Sequence, residues 1–280
     1  MNFKKAITHA RTGGPPLAAF NIVDYASFVA VSEAAREAGK PVIAQVSART
    51  VQYYGAATIG MLADQVRQRT NAKCFLHLDH AREDTVIEAA CTAGFDGFMI
   101  DASDLAYDAN VRRTREWVRR GHAVGMVVEG EIGAIRGAEE DVAGGECVSG
   151  PTLEQCERFA ADTGVDFLGA DIGTTHGLYA SPPAIRFSFI EQIVPRIKAG
   201  FVVHGGSGLD GMTLRVLADL KVAKINFSTE LKIAWAESVR KATSGESVPE
   251  PLLALQHAHQ VIKDLVHAKL RSLDGAGGQA

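Results

Sequence analysis

Short apolar runs alternate with longer amphipathic segments along most of the chain, and this alternation constrains the fold more than any other feature. Eight apolar runs stand out: PLAAFNI, PVIAQVS, CFLHLDH, GFMIDAS, VGMVVEGEIG, VDFLGADIG, GFVVHGGS and VAKINFS. The segments between them are helix-like, and several end in a glycine suited to a helix C-terminus, as at Gly39, Gly94 and Gly164. Alternating strands and helices favour a parallel sheet. Eight such units in 280 residues predict a closed (β/α)8 TIM barrel, an α/β fold.

The alternative architecture is an open, doubly wound sheet of the kind that binds dinucleotides. No predicted strand is followed by the GxGxxG spacing that supports such a site, and GGSG at 205–208 has a different spacing. No change in composition marks a second domain, so residues 1–280 are expected to form a single one. Residues 244–280 are expected to supply a linker, an extra C-terminal helix and a frayed tail.

The charge and composition of the chain argue against some classes of binding partner. The formal net charge is −4, which argues against a general nucleic-acid-binding surface. We expect neither a signal peptide nor a membrane span, because no apolar run reaches about 18 residues. The four cysteines form no CxxC pair and are interpreted as reduced thiols, so a cytoplasmic location is expected.

Polar side chains collect at the carboxyl ends of the predicted strands, where a barrel builds its active site. Hydrogen bonding within a core explains one or two such groups, but hardly one at the end of every run. The residues at these positions are Asn21, Ser47, Asp79, His80, Asp101, Glu129, Glu131, Asp171, His176, His204 and Asn226. Together they predict one site at this end of the barrel.

Three of these residues are histidines that follow separate strands: His80, His176 and His204. Three imidazoles that converge can bind one Zn²⁺ and leave a coordination position open for substrate. Each histidine alone is explained as well by the surface or by a hydrogen-bonded core, but their shared location favours a metal. Strand alternation leaves the choice between His77 and His80 open, because His77 and Asp79 share one face and His80 begins on the other. His80 becomes a ligand if the strand ends there and the chain turns.

Two stretches at the last two strands have the features of a phosphate site. HGGSG, 204–208, offers backbone N–H groups that an anion can approach, and NFSTE, 226–230, places Ser228 and Thr229 at a helix start. Barrels commonly bind phosphate at strands seven and eight with such groups and a helix dipole. The alternative is two turns with ordinary capping hydroxyls. Their occurrence together, in this order, favours phosphate.

These motifs together resemble the class II, metal-dependent ketose-bisphosphate aldolases, the fructose- and tagatose-bisphosphate family. The matching pieces are LHLDHA, MIDAS, EGEIG, ADIGTTHG, VVHGGSG and AKINFSTE, which cover nearly the whole barrel in order and spacing. The resemblance implies reversible cleavage of a ketose phosphate, such as fructose or tagatose 1,6-bisphosphate, into dihydroxyacetone phosphate and an aldehyde (glyceraldehyde 3-phosphate). It also implies a homodimer or a homotetramer.

The resemblance implies roles for individual residues as well. A catalytic zinc ion would be held by His80, His176 and His204. Asp79 would exchange a proton with the C4 hydroxyl, and Glu139, in the glycine-rich stretch 130–150, would move the C3 proton. Asp101 and Glu131 correspond to ligands of a second or displaced metal ion, a second divalent or a monovalent cation. The substrate would be contacted by Asn21, Ser47, Gly177, Gly205, Gly206, Ser207, Asn226, Ser228 and Thr229.

The chain departs from the family pattern at two places. Ser228 stands where the eighth-strand signature usually has aspartate, as small residues often do in the tagatose branch. The stretch SVPEPLLALQ, 247–256, lacks the arginine that the family usually carries there to hold the distal phosphate. Either Arg49 or Arg136 holds that phosphate instead, or the substrate carries one phosphate only.

Three other hypotheses share part of this pattern. A zinc hydrolase would use the same histidines but would need no phosphate site. A non-catalytic sugar-phosphate-binding barrel would keep the ligand site without turnover, although the presence of Asp79 and Glu139 argues against it. A Schiff-base mechanism would need a lysine such as Lys224, whose strand context is explained more simply by packing or charge support.

Overall fold

A computed structural model describes residues 1–137, 150–244 and 250–274. Its barrel strands are β1 (Leu17–Asn21), β2 (Val42–Ser47), β3 (Cys74–Ala81), β4 (Gly97–Ile100), β5 (Val127–Ile132), β7 (Phe167–Ala170), β9 (Gly200–Val203) and β10 (Lys224–Phe227). Two short strands outside the barrel, β6 (Arg136–Gly137) and β8 (Thr175–His176), pair with each other.

Eleven α-helices lie within the described ranges. They are α1 (Phe3–Arg11), α2 (Tyr25–Glu37), α3 (Ala48–Tyr54), α4 (Ala56–Thr70), α5 (Asp84–Thr92), α6 (Tyr107–Ala123), α7 (Leu153–Thr163), α8 (Phe187–Ile193), α9 (Gly211–Asp219), α10 (Thr229–Thr243) and α11 (Pro251–Ser272). None of these described helices is long and apolar enough to cross a membrane.

The barrel is closed and all its strand pairings are parallel. The strand order is β1-β10-β9-β7-β5-β4-β3-β2, and β1 closes the ring by pairing with both β10 and β2. Around the ring, β1 aligns Ala19 with Asn226 on one side and with Ile43 on the other. The predicted (β/α)8 barrel is confirmed, and the open-sheet alternative is excluded by this closure.

Two apolar layers explain why the chain closes in this way. Outward-facing strand residues pack against the surrounding helices in one large cluster. Inward-facing residues form a second cluster at the other side of the strands, and α1 covers it with Phe3, whose ring stacks on Phe75 at 4.5 Å. Because α1 seals the amino-terminal end of the barrel, the carboxyl ends of the strands are left for a site.

The predicted C-terminal helix lies outside the barrel. It packs on α2 and α10, where His259 contacts Glu33 at 3.0 Å and an ion pair joins Lys263 to Glu37 at 2.7 Å. Residue numbers rise together along the two helices, so α11 runs parallel to α2. Since α2 follows the carboxyl end of β1, α11 begins at the end of the barrel where the strands end. The linker 245–249 and the tail 275–280 lie outside the described residues, and a single domain over the whole chain stays a prediction.

Candidate active site

Three histidines from different parts of the chain meet at the carboxyl end of the barrel. His80 lies at the end of β3, His176 in β8, and His204 directly after β9. Nε2 of His80 is 3.0 Å from Nδ1 of His204, and one ring nitrogen of each histidine lies within 4.8 Å of the others. Converging imidazole nitrogens at this spacing are suited to bind one metal ion.

A local distortion of β3 turns His80 toward the other two histidines. His80 has φ of 44°, a left-handed conformation that is uncommon for a residue with a side chain. The pairing of β3 with β4 shifts register between Leu78 and Ala81, as it does at a bulge. The distortion breaks the alternation of faces, so His80 joins the cluster although it begins on the face opposite Asp79. His80, and not His77, therefore lies in the cluster of His80, His176 and His204, which is called the triad below.

His77 instead lies deeper in the barrel. It is fully buried, and neither ring nitrogen has a hydrogen-bond partner. Its Nε2 is 3.8 Å from Oε2 of Glu129. Burial, together with the positive charge of Lys224, lowers the pKa of His77 to about 3, so the ring is neutral.

A buried ion pair between Glu129 and Lys224 fixes the ring of His204. Nε2 of His204 donates to Oε1 of Glu129 at 2.9 Å, and Nζ of Lys224 donates to Oε2 of the same carboxylate at 2.5 Å. Burial by itself would raise the pKa of Glu129, but Lys224 and the hydrogen bond from His204 hold it well below its usual value. Since Nε2 of His204 is engaged by Glu129, Nδ1 is the nitrogen that faces His80, at 3.0 Å from its Nε2.

Asp79 is ionised and anchored at both oxygens. Nδ2 of Asn21 donates to Oδ2 at 2.8 Å, and Nε2 of Gln45 donates to Oδ1 at 2.6 Å. Burial would raise the pKa of Asp79, but the charges on His80 and Lys224 lower it below its usual value. The carboxylate is therefore able to accept a proton from a group that comes close to it.

Burial and neighbouring charges set the protonation states of His80 and His176. Burial would lower the pKa of His80, but the carboxylates of Asp79, Asp101 and Glu131 raise it to about 10. Burial and the neighbouring imidazoles lower the pKa of His176 to about 2, so this ring is neutral. A metal ion would therefore displace a proton from His80 when it binds.

Asp101 contacts the triad, and Glu131 lies close to it. Oδ2 of Asp101 is 3.4 Å from Nδ1 of His80 and accepts from Nε of Arg82 at 3.2 Å. Oε1 of Glu131 accepts from the backbone N–H of Ile135 at 3.3 Å, and burial raises the pKa of this carboxyl. Within the described ranges, the three histidines are the one group with metal-ligand spacing, and it includes neither carboxylate. A second ion at these residues stays a prediction.

The predicted phosphate-binding residues gather in one small cavity beside His176. Its other lining residues are Gly177, Gly205, Ser207, Asn226, Ser228 and Thr229. The hydroxyl of Ser207 accepts from the backbone N–H groups of Ser228, at 3.1 Å, and of Glu230, at 3.4 Å, so it fixes the start of α10. The hydroxyl of Ser228 is buried without a hydrogen-bond partner.

Glycine is needed at two positions of this loop. Gly205 has φ of +69°, and a Cβ there would lie 2.3 Å from the carbonyl oxygen of Thr175. A Cβ on Gly206 would lie 2.7 Å from the carbonyl oxygen of Asn226, to which Gly206 already donates its N–H at 2.8 Å. Gly206 is thus needed for close packing, and its contact with substrate stays a prediction.

Three further residues were predicted to belong to the site: Ser47, Asn21 and Glu139. The hydroxyl of Ser47, 3.1 Å from that of Thr50, accepts from the Thr50 N–H at 3.3 Å and caps α3. Asn21 contacts the site through Asp79, as described above. Glu139 lies outside the described residues.

Residues 1–278 match the family model for class II fructose-bisphosphate aldolases.

The chain belongs to the class II fructose-bisphosphate aldolase family.

Solved structures with the same fold include enzymes of this kind. A candidate fructose-1,6-bisphosphate aldolase from Coccidioides immitis is 25% identical, with a TM-score of 0.89, over 99% of this chain and 97% of that one. The YdjI aldolase of Escherichia coli K12 is 24% identical, with a TM-score of 0.83, over 100% and 99% of the two chains. The fructose-bisphosphate aldolase of Campylobacter jejuni is 20% identical, with a TM-score of 0.81, over 98% and 95%. The last two comparisons support the fold alone.

Sequence reasoning missed one supporting residue of this class II aldolase, Gln45. Gln45 precedes the predicted site residue Ser47 by two positions, so it faces the same side of β2, a signal that could have pointed to it. The position of Glu129 at a strand end was predicted. Its pairing with Lys224, 95 positions further along the chain, was not. Charge support, the simpler explanation for Lys224, is what the structure shows.

Proposed function

We propose that this class II aldolase uses Zn²⁺ to cleave a ketose phosphate reversibly into dihydroxyacetone phosphate and an aldehyde. The observation that carries the proposal is the meeting of His80, His176 and His204 beside the ionised, doubly anchored Asp79. An all-imidazole donor set fits zinc among the divalent metals. The three histidines would hold the ion through nitrogens that already face one another.

The metal would supply electrostatic stabilisation. A bound zinc ion polarises a carbonyl oxygen and offsets negative charge that develops on the adjacent carbon. Glu129 fixes the tautomer of His204 so that Nδ1 is available as a ligand. Because imidazoles are neutral ligands, the ion would keep most of its positive charge.

Asp79 is the proposed base for bond cleavage. It accepts the proton of the C4 hydroxyl while the electron pair of the C3–C4 bond passes to C3, and the C4 fragment leaves as an aldehyde. Asn21 and Gln45 hold the carboxylate in one orientation, which favours this transfer. A proton must then reach C3, and Glu139, outside the described residues, is the proposed donor.

The small cavity beside His176 is the proposed site for the phosphate of dihydroxyacetone phosphate. Its unpartnered Ser228 hydroxyl is available to donate. Thr229 begins α10, a helix of 15 residues whose first N–H groups and dipole favour an anion. Ser207 orders this start, so the loop after β9 and the start of α10 would act together.

The proposal is tested with metal-free protein. Fructose and tagatose 1,6-bisphosphates, and ketoses with one phosphate, are assayed with and without added zinc, and the aldehyde products are identified. Turnover that returns with zinc supports the proposal, whereas equal activity in excess chelator contradicts it. His204→Ala should lose both zinc and turnover, and His257→Ala, a histidine on α11 away from the triad, is the matched control. A homodimer or homotetramer and a cytoplasmic location are further proposals, the first tested by light scattering.

A further inference from the structure

The turn that carries His176 is closed by one side chain, that of Tyr179. His176 lies in β8 directly after Thr175, and Gly177 then turns the chain with φ of +114°. The Tyr179 hydroxyl folds back on the same turn and accepts from the backbone N–H of Thr175 at 3.2 Å. Its ring is half-buried and packs against the large apolar cluster between strands and helices. His176 is thus enclosed in a short turn, 175–179, whose two ends are hydrogen-bonded to each other.

The same hydroxyl joins this turn to the loop after β9. It donates to the carbonyl oxygen of Gly205 at 2.7 Å, so it accepts from one loop and donates to the other. The Tyr179 side chain fits closely against two glycines of the second loop. A Cβ on Gly205 would lie 3.0 Å from the hydroxyl oxygen, and a Cβ on Gly208 would lie 3.2 Å from Cδ2 of the ring. A rigid aromatic side chain therefore sets the distance between the two loops.

These two loops form opposite walls of the small cavity proposed for phosphate. His176 and Gly177 come from the closed turn, and Gly205 and Ser207 come from the loop after β9. His176 belongs to the triad as well as to the cavity wall. A change in the spacing of the loops would therefore alter the phosphate cavity and the position of a metal ligand together.

We infer that the Tyr179 hydroxyl couples zinc binding to phosphate binding by holding the His176 turn and the loop after β9 at one spacing. The inference rests on the proposed function, because it takes the triad as the zinc site and the small cavity as the phosphate site. Tyr179 lines neither site, so it is a positioning residue. An anion between the two walls would order His176 for the metal, and a bound metal would order the cavity for the anion. Such coupling is reciprocal, so each ligand raises the affinity for the other by the same factor.

The test measures zinc affinity against a competing chelator, with and without saturating inorganic phosphate. In the wild type, phosphate should raise zinc affinity by about tenfold. Tyr179→Phe keeps the ring and removes the hydroxyl, so it should reduce this factor to about threefold or less. Direct attraction between the two charges keeps the factor above one. Tyr107→Phe is the matched control, because this half-buried tyrosine donates to the Gln155 carbonyl oxygen at 3.5 Å, between α6 and α7, and should keep the wild-type factor.

A second measurement needs no variant. Calorimetric titration of the wild type with inorganic phosphate should give a higher affinity for the zinc-loaded protein than for the metal-free protein, by the same factor of about ten. An equal phosphate affinity in the two forms overturns the inference.

The outcomes separate this inference from the proposed function. If phosphate raises zinc affinity by the same factor in the wild type and in Tyr179→Phe, the hydroxyl does not couple the sites and the inference is wrong. It is also wrong if Tyr179→Phe lowers zinc affinity equally with and without phosphate, because the hydroxyl then acts on His176 alone. In both cases, turnover that returns with zinc leaves the proposed function standing. If the wild type binds no zinc, both are wrong.

Discussion

Glu129 and His204 share a hydrogen bond inside the barrel, in which Nε2 of the imidazole donates to Oε1 of the carboxylate over 2.9 Å. The carboxylate is held in turn by Lys224, which is fully buried. This pairing leaves Nδ1 of His204 as the nitrogen that faces His80. A residue outside the three-histidine cluster thus decides which atom of His204 is offered to a metal.

Glu129→Gln should weaken both metal binding and the fold. The amide lacks the negative charge that offsets Lys224, and an uncompensated buried charge costs about 3–5 kcal/mol. The amide can also turn its NH₂ group to the His204 ring and release it from the required tautomer. Loss of such a partner typically lowers metal affinity by about 10–100-fold. Urea unfolding measures the first effect, and zinc titration against a competing chelator measures the second.

The double variant Glu129→Gln/Lys224→Met separates the two effects. Removal of both charges leaves no unpaired ion in the core, so much of the stability should return. Zinc affinity should stay low, because His204 still lacks its carboxylate. Full recovery of zinc affinity in the double variant would show that Glu129 acts on stability alone.

Asp79→Asn should abolish most of the turnover without loss of zinc. The amide cannot accept the C4 hydroxyl proton, and general base catalysis typically contributes about 10²–10⁴-fold to kcat. Gln45→Leu removes one of the two donors that orient Asp79, so it should lower kcat by a smaller factor. Steady-state kinetics with zinc analysis of the same samples checks both. An Asp79→Asn protein with wild-type kcat excludes this residue as the base.

The barrel could be predicted from sequence because its signal is repetitive. Each apolar run reports a strand by itself, and the predicted helix ends at Gly39, Gly94 and Gly164 all have positive φ. The sealing helix α1 was not predicted, since its role depends on the contact of Phe3 with Phe75 across the sequence. Local patterns carry no information about such a contact.

The site was predicted less completely for a related reason. Periodicity could not choose between His77 and His80, because the choice depends on the left-handed backbone at His80, where no glycine marks it. The support of His204 needs a glutamate and a lysine that are 95 positions apart. A second ion at Asp101 and Glu131 depends on distances that a motif does not encode.

Gly205→Ala should impair phosphate binding beyond its effect on stability. Alanine at φ of +69° is strained, and its Cβ would lie 2.3 Å from the Thr175 carbonyl oxygen, so the loop must move. Gly125→Ala is the matched control, since φ is +81° there and a Cβ would meet nothing within 4 Å. Both variants should lose stability, by about 1–2 kcal/mol for the backbone strain. Only Gly205→Ala should raise KM for the phosphorylated donor, and an equal KM in the two variants would argue against the phosphate site.

The attachment of α11 to α2 should depend on pH through Glu37. Hydrogen bonds from Lys263, at 2.7 Å, and His267, at 2.9 Å, lower the pKa of Glu37 below its ordinary value of 4.5. A lowered pKa in the folded state means that this carboxylate stabilises the fold above about pH 4.5 and that its contribution is lost as the pH falls through the folded-state pKa. The contribution is small, because these groups lie near the surface.

Glu37→Gln tests this dependence. The variant should be less stable than the wild type at pH 7, and the difference should shrink toward zero as the pH falls below the ordinary pKa of the carboxyl group. Urea unfolding of both proteins between pH 3 and 7 gives the difference directly. Lys263→Met removes the main partner of Glu37, so Glu37→Gln in that background should show a weaker pH dependence. If the difference is the same at every pH, the glutamate stabilises the helix contact by packing and not by charge.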